Sequence, residues 1–205
     1  MTDALDTGIA VVLASASQSR ATVLHNAGVR IEQIPADIDE ESVKSAMQRD
    51  GCSAADVAHR LAELKARAVS RRQPGRLVIG ADQMLQCGGV WFDKPADRDH
   101  ARAHLQALRG RDHELFAAVC VVRDDECLWR HLESARMTMR PFSDDFLRDY
   151  LDAVGDDVCR SVGAYQLEGL GAQLFARIEG DFFTILGLPL LAVLGFLSHQ
   201  GVVKA

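Results

Sequence analysis

The stretch LVIGADQMLQCGGVWFDKP, residues 77–95, decides the fold that we predict for this chain. The run from Leu77 to Ile79 is short, apolar and rich in β-branched side chains, so it favours a buried strand that ends at Gly80. Asp82 would then lie just past the carboxyl end of a core strand, where α/β proteins commonly bind ligands. The stretch therefore predicts an α/β protein with a carboxylate at its ligand-binding edge.

The second half of the same stretch predicts a hairpin. The pair Gly88-Gly89 turns the chain, so that residues 90–92 can pair with residues 84–87. This return brings Lys94 back towards Asp82. A carboxylate and an ammonium group at one end of a sheet could bind a metal and a phosphate, and a structural salt bridge would explain the pair equally well.

Length and composition indicate an ordinary globular chain. Its 205 residues, 48% hydrophobic and 25% charged, can bury a sizeable core, and no linker divides residues 1–205, so we expect a single domain. The net charge of −6 argues against a surface for nucleic-acid polymers. The five cysteines form no CxxC motif, and we expect them to be reduced. Without a signal sequence or an apolar run of about 20 residues, we expect a cytoplasmic protein with no membrane partner.

The apolar run from Ile9 to Leu13 predicts a first strand that leads into a serine-rich turn. Ser17 fits the N-cap position of the helix that follows. Backbone N–H groups, hydroxyls and the helix dipole at such a turn suit a phosphate, and Arg20 could add a bidentate clamp. An ordinary capped helix with a solvated arginine is the alternative.

Four carboxylates fall within five residues between Asp37 and Glu41, after a predicted strand at Ile31 to Ile34. Such a cluster can cap a helix and remain solvated. It can also present oxygen ligands to a hard divalent cation. The two interpretations stay open from these residues alone.

A long amphipathic helix is predicted from Ser53 to Arg71. Its apolar stripe consists of Val57, Leu61, Leu64 and Ala68. Lys65 lies next to that stripe, and on spacing alone a lysine in this position extends to water rather than binding a phosphate.

The middle of the chain is predicted to contain two more helices and two long antiparallel strands. The helices begin at Asp97 and Ser143, and the strands span His113 to Val122 and Cys127 to Met139. His100 and His104 have the i, i+4 spacing of a metal pair, but no third ligand lies near them in the sequence, so we do not expect a zinc site.

The last third contains a glycine-rich loop, residues 161–171, a strand at Leu174 to Ile178 and a helix that Pro189 opens. The loop has neither a Walker A nor a GxGxxG pattern. Glu168, placed between glycines, is either an exposed loop carboxylate or a group that faces a purine edge.

Short motifs distributed along nearly the whole chain resemble, in their order, those of the Maf family. They are residues 13–17 with Arg20, residues 37–40, Lys65-Ala66, residues 80–83, Lys94-Pro95, residues 163–171 and residues 187–190. The resemblance implies an inosine triphosphatase-like α/β fold, with an elongated mixed β-sheet flanked by helices and two lobes around a cleft. It also implies a nucleoside triphosphate pyrophosphatase that needs Mg²⁺ or Mn²⁺, and a possible homodimer.

The resemblance also implies roles for particular residues. Ser15, Ser17 and Arg20 would bind the phosphates. Glu40 and Asp82 would handle the metal and the attacking water, and Lys65 and Lys94 would neutralise the triphosphate. The chemistry needs such groups, because attack at the α-phosphorus places negative charge on phosphate oxygens that cations and N–H donors can stabilise. Whether Asp82 is a metal ligand or a general base stays open.

Gln83 and Glu168 are similar to the residues of the 7-methyl-GTP branch of the family rather than those of the dTTP/UTP branch. A carboxylate can accept from both N1–H and the exocyclic amine of guanine, whereas a pyrimidine imide offers one donor between two carbonyls. Hydrolysis of dTTP and UTP is the alternative within the enzyme class. The alternative outside it is a non-catalytic nucleotide-binding regulator of cell division.

Overall fold

The computed structural model describes Gly8 and residues 10–204. The strands in this part of the chain are β1 (Val11–Leu13), β2 (Ile31–Gln33), β3 (Val78–Cys87), β4 (Val90–Phe92), β5 (Asp112–Arg123), β6 (Glu126–Met139) and β7 (Phe175–Glu179). The helices are α1 (Gln18–Asn26), α2 (Glu40–Arg49), α3 (Ala54–Ser70), α4 (Arg98–Leu108), α5 (Asp144–Val154), α6 (Phe182–Ile185) and α7 (Leu190–His199). Short 3₁₀ turns at Gly155–Arg160, Val162–Ala164 and Leu170–Leu174 carry the glycine-rich segment.

The strands form one mixed sheet in the order β2-β1-β3-β5-β6-β7, with β4 paired to β3 beside this path. The strand β1 runs parallel to both β2 and β3, whereas β3, β5, β6 and β7 pair antiparallel. The mixed α/β sheet predicted from the sequence is therefore confirmed.

Helices cover both faces of the sheet and divide its core into two halves. In one half, α3 packs on one face, and α1 and α7 pack on the other. In the other half, α4 and α5 pack against the far ends of β3, β5 and β6. Residues from both halves line a cleft at the middle of the sheet, which gives the two-lobed arrangement that we expected.

The predicted end of the central strand at Gly80 is wrong, because β3 continues from Val78 to Cys87. Asp82 consequently lies within the sheet, opposite Ala118 of β5, and not beyond a strand end. The reason is steric. A Cβ atom on Gly80 would lie 2.2 Å from the carbonyl oxygen of Ala62 in α3, so this glycine allows a helix to approach a continuous strand.

The hairpin prediction is confirmed, since Leu85, Gln86 and Cys87 pair with the three residues of β4. The long β5–β6 hairpin is confirmed as well, and its turn consists of Asp124 and Asp125, both with positive φ. The predicted first strand is observed as β1, and Ile9 lies outside the described residues. No helix in the described part of the chain combines the length and the apolar character needed to cross a membrane.

The helix predicted from Ser53 to Arg71 is α3, with Ser53 as its N-cap in a reciprocal capping box with Asp56. Its buried face is turned slightly from the predicted stripe. Leu64 and Ala68 are only partly buried, whereas Lys65 is buried. The rotation follows from the close contact at Gly80, which brings one side of α3 down onto β3.

Candidate active site

A cavity of about 420 Å³ opens in the cleft. All nine residues proposed above for binding or catalysis line it, namely Ser15, Ser17, Arg20, Glu40, Lys65, Asp82, Gln83, Lys94 and Glu168. They come from the β1–α1 turn, from α1, α2, α3 and β3, and from two loops. The fold therefore assembles residues from distant parts of the chain in one place.

Lys65 is buried at the centre of the site and links two carboxylates. Its Nζ lies 2.6 Å from Oδ1 of Asp82 and 2.9 Å from Oε1 of Glu40. The expectation that Lys65 extends to water is therefore wrong. The contact between α3 and Gly80 holds this side chain against the sheet, where the paired carboxylates compensate for the loss of hydration of its charge.

Asp82 is 5% exposed, and only one of its oxygens is paired. Oδ1 accepts from Lys65, whereas Oδ2 is buried and has no hydrogen-bond partner among the described residues. Burial raises the pKa of Asp82, and the charges of Lys65 and Arg20 oppose this shift. The prediction of a structural salt bridge between Asp82 and Lys94 is wrong. Asp82 does form a salt bridge, but its partner is Lys65.

The acidic cluster at residues 37–41 caps a helix and also lines the cavity. Asp39 caps α2 by accepting from the backbone N–H of Ser42, at 3.0 Å. Glu40, the first residue of α2, and Glu41 line the cavity. Among the described residues, no group of three or more His, Cys, Asp or Glu side chains is placed to hold a metal ion. Two carboxylates do meet here, because Glu40 and Asp82 both contact Nζ of Lys65.

The serine-rich turn has the predicted cap and a second layer of contacts. Ser17 caps α1 through the N–H of Arg20, and the hydroxyl of Ser15 accepts from the N–H of Ser17 at 3.2 Å. The amide of Gln33 donates to the carbonyls of Ser15, at 2.8 Å, and Ser17, at 3.3 Å. Gln33, which sequence reasoning missed, thus holds the turn from the neighbouring strand.

Arg20 is buried, so the solvated arginine of the alternative interpretation is excluded. Its Nε donates to the carbonyl of Gly187 at 2.8 Å, and Nη1 donates to the carbonyl of Ala81 at 2.9 Å and to Ser15 Oγ at 3.1 Å. Nη2 has no hydrogen-bond partner in the described part of the chain. Burial lowers the pKa of Arg20, and the charges of Asp82 and Glu40 oppose that shift.

Lys94 follows the β4 hairpin and lines the mouth of the cavity. It forms no salt bridge with any described residue. Desolvation lowers the pKa of Lys94, and the positive charges of Arg20 and Lys65 lower it further. Glu40 and Asp82 oppose this shift, and an anionic ligand beside Lys94 would oppose it further.

Two further cations, Lys44 and Arg160, line the cavity but were missed from the sequence. Lys44 lies one helical turn after Glu40 and forms a salt bridge with Asp93. The i, i+4 spacing from Glu40 is a signal that could have identified it. Arg160 is exposed and pairs with Asp157 at 3.1 Å, and nothing in its sequence context distinguishes it from a surface arginine.

Gln83 is held in one orientation by the short helix α6. Its Nε2 donates to the carbonyls of Thr184 and Ile185, both at 3.0 Å, so only Oε1 remains to contact a ligand, as an acceptor. The hydroxyl of Thr184 is itself fixed by a 2.7 Å hydrogen bond to Glu133. Glu133 and Thr184 carried no recognisable signal, because the contact joins residues 51 positions apart.

Comparison with known protein families identifies the family of this chain. The family model described as Maf-like protein matches residues 10–200. The chain belongs to the Maf family. A protein of Paramagnetospirillum magneticum named nucleoside triphosphate pyrophosphatase is 58% identical, over 93% of this chain and 98% of its own length.

Another Maf relative carries a more specific name. A Mesorhizobium japonicum protein named 7-methyl-GTP pyrophosphatase is 50% identical, over 94% of this chain and 97% of its own length. A HAM1 protein from Coxiella burnetii superposes on 65% of this chain and 74% of its own, at 18% identity and a TM-score of 0.43, a likeness too distant to support a conclusion.

Proposed function

We propose that this Maf protein hydrolyses nucleoside triphosphates to the monophosphate and pyrophosphate in the cavity around Lys65, with 7-methyl-GTP as its preferred substrate. The observation that carries the proposal is the contact of one buried ammonium group with two carboxylates, 2.6 Å from Asp82 and 2.9 Å from Glu40, beside Arg20 and Lys94. The names of the relatives support the reaction class.

The charges in the cavity suit a triphosphate. Cleavage between the α- and β-phosphates increases negative charge on the departing pyrophosphate, and fixed cations stabilise that charge in a partly desolvated site. Arg20 is anchored by three hydrogen bonds, so it needs little reorganisation when an anion arrives. Lys94 forms no salt bridge with any described residue, so it could bind a phosphate without breaking an existing ion pair.

Glu40 and Asp82 fit the divalent cation that the family resemblance implies. The fit rests on Asp82 Oδ2, a buried oxygen with no hydrogen-bond partner in the described part of the chain, and on the partly exposed carboxylate of Glu40. Two protein carboxylates together with substrate phosphates are a usual set for Mg²⁺. When bound, the cation would neutralise phosphate charge and acidify a water molecule near the α-phosphorus.

The residues of the chain have separate tasks in this proposal. Lys65 lowers the repulsion between Glu40 and Asp82 and keeps both carboxylates on one side of the cavity. Asp82 Oδ2 either holds the cation or accepts a proton from the attacking water. Arg20, with the hydroxyl of Ser15, orients phosphate oxygens, and Lys94 stabilises the leaving group.

The preference for 7-methyl-GTP over pyrimidine nucleotides rests on the acceptors that line the cavity. Glu168 is an acceptor when ionised, and Gln83 can offer only its carbonyl oxygen because both amide hydrogens are used. Guanine presents two N–H donors on its pairing edge, which match such acceptors. A thymine or uracil imide presents one donor between two carbonyls, and those carbonyls would face a carboxylate at a cost of about 1–3 kcal/mol.

The test is pyrophosphate release from 7-methyl-GTP, GTP, dTTP, UTP and ATP, each with Mg²⁺ or Mn²⁺ and with EDTA. We expect turnover that depends on the cation and a kcat/KM that is highest for 7-methyl-GTP. Faster turnover of dTTP and UTP than of 7-methyl-GTP would overturn the preference alone. No release from any triphosphate by folded protein would overturn the proposed reaction.

A further inference from the structure

A second cavity of about 990 Å³ opens beside the first. The two cavities share Ser17, Lys94 and Glu168 on their common wall. The part that is not shared has an apolar wall, formed by Val23, Phe182, Phe183 and Leu190, and it also contains the polar residues Gln18, Thr22 and Asn26. A ligand whose phosphates lie in the first cavity could therefore place a planar ring in the second.

Phe182 is the most exposed aromatic group on this apolar wall. It is 46% exposed, whereas its neighbour Phe183 is packed against the core of α1 and α7. The two rings meet edge to face, with centroids 5.9 Å apart and planes at 71°. The side chain of Asp181 accepts from the N–H groups of Phe183 and Thr184, which fixes the turn that carries Phe182. An aromatic ring is thus held at the edge of the cavity and remains accessible.

We propose that Phe182 stacks on the base of the substrate and, together with Glu168, selects the cationic 7-methylguanine over unmethylated guanine. This inference rests on the proposed function and extends it to a named specificity residue. Methylation at N7 gives the purine a delocalised positive charge. An aromatic face attracts a planar cation more strongly than a neutral ring, and a carboxylate lining the same cavity adds to that attraction.

The charges around the second cavity give the base one favourable position. Lys94 lies on the wall shared with the first cavity, where the phosphates would bind. Arg160 also lines this cavity, but its guanidinium is paired with Asp157. Attraction to Phe182 and to Glu168 would therefore draw the cationic base away from Lys94.

Kinetics of Phe182 variants test this inference. We expect Phe182→Leu to lower the ratio of kcat/KM for 7-methyl-GTP to that for GTP by about tenfold, mostly through KM, because stacking and cation–π attraction are lost together. Phe182→Tyr should keep the ratio near that of the wild type. The matched control is Leu191→Ala, which removes an exposed apolar side chain, 65% accessible, outside both cavities. A ratio in Phe182→Leu equal to that of the control would overturn the inference.

A binding measurement separates this inference from the proposed reaction. In Phe182→Trp, 7-methyl-GMP should quench tryptophan fluorescence more strongly than GMP does, beyond the change seen with Trp91 and Trp129 in the wild type. Turnover of triphosphates together with no added quenching would overturn the role of Phe182 and leave the pyrophosphatase intact. If no triphosphate is hydrolysed, the proposed reaction fails, and the quenching alone decides whether Phe182 contacts the base.

Discussion

At the scale of single residues, the site depends on one buried lysine between two carboxylates. Lys65 is 8% exposed and Asp82 is 5% exposed, so their charges are largely removed from water. Burial of both partners is tolerated because they meet at 2.6 Å and because Glu40 provides a second, more exposed contact. Removing either partner would leave an uncompensated charge in the core of the cleft.

Replacing Lys65 by Met should lower the free energy of unfolding by about 3 kcal/mol, because Asp82 would remain buried without its partner. Urea denaturation followed by circular dichroism measures this change. The double variant Lys65→Met/Asp82→Asn should recover much of the loss, since the buried carboxylate left without its ammonium partner is then removed. A double variant that is less stable than Lys65→Met would contradict the assigned pairing.

The same variant tests the cation site at the residue scale. Without Lys65, the two carboxylates of Glu40 and Asp82 repel each other, and a divalent cation would relieve that repulsion. Mg²⁺ should therefore raise the midpoint of urea unfolding more in Lys65→Met than in the wild type. Equal shifts in Lys65→Met and in Lys65→Met/Asp82→Asn would show that Asp82 does not hold the cation.

At the scale of secondary-structure elements, the site is positioned by the contact between α3 and β3. Gly80 makes this contact possible, since a Cβ there would meet the backbone of Ala62 at 2.2 Å and that of Ala66 at 2.6 Å. The helix sits directly on the strand, and Lys65 is carried within reach of Asp82, two residues along the same strand. The elements therefore fix the ion pair through their backbones.

Gly80→Ala should destabilise the protein by about 1–3 kcal/mol, because the added methyl group forces α3 away from β3. Turnover should fall as well, since Lys65 moves with the helix. The matched control is Gly195→Ala in α7, where an added Cβ meets nothing within 4 Å and should stabilise the helix by about 0.5–1 kcal/mol. Thermal unfolding and pyrophosphate release measure both effects, and full activity in Gly80→Ala would contradict this view of the contact.

The elements also show what the sequence could and could not predict. Alternation, turn residues and caps predicted the β3–β4 hairpin, the β5–β6 hairpin and the starts of α1, α3 and α4. The strand boundary at Gly80 was wrong because a glycine has the same appearance in a sequence whether it ends a strand or admits a helix. The burial of Lys65 was missed for a related reason, since helical periodicity places a residue on a face but does not say what that face meets.

At the scale of the whole molecule, the cavity collects residues that are far apart in the chain. The short motifs identified nine candidate residues in the sequence, and all nine line the cavity. Lys44, Gln33 and the Glu133–Thr184 contact were not predicted, since their significance arises only when separate elements meet. Long-range contacts of this kind leave no local pattern in one sequence.

The burial of His113, in the half of the molecule covered by α4 and α5, predicts how stability depends on pH. His113 of β5 is 1% exposed, with its Nε2 2.7 Å from the hydroxyl of Tyr165 and its ring beside Phe175. Burial lowers the pKa of His113 to about 4, from an ordinary value of 6.5. Below pH 6.5 the unfolded chain binds a proton that the folded protein does not, until the pH falls through 4.

The free energy of unfolding should therefore fall by about 2 kcal/mol between pH 7 and pH 5 on account of His113, at 1.36 kcal/mol for each pH unit below 6.5. Urea denaturation at the two pH values measures the difference. His113→Gln should show a smaller pH dependence, whereas His25→Gln, which removes an exposed imidazole, should behave as the wild type does. The same pH dependence in all three proteins would contradict the assigned burial effect.

The central claim is that the cavity around Lys65 catalyses the release of pyrophosphate and does not only bind nucleotides. The most direct test measures pyrophosphate release and nucleotide binding in parallel, with 7-methyl-GTP and Mg²⁺, for the wild type and Asp82→Asn. We predict turnover by the wild type and a kcat at least about a hundredfold lower in Asp82→Asn, with the substrate still bound, because Asp82 acts on the reaction rather than on the base. Nucleotide binding without pyrophosphate release by the wild type, or unchanged turnover in Asp82→Asn, would contradict it.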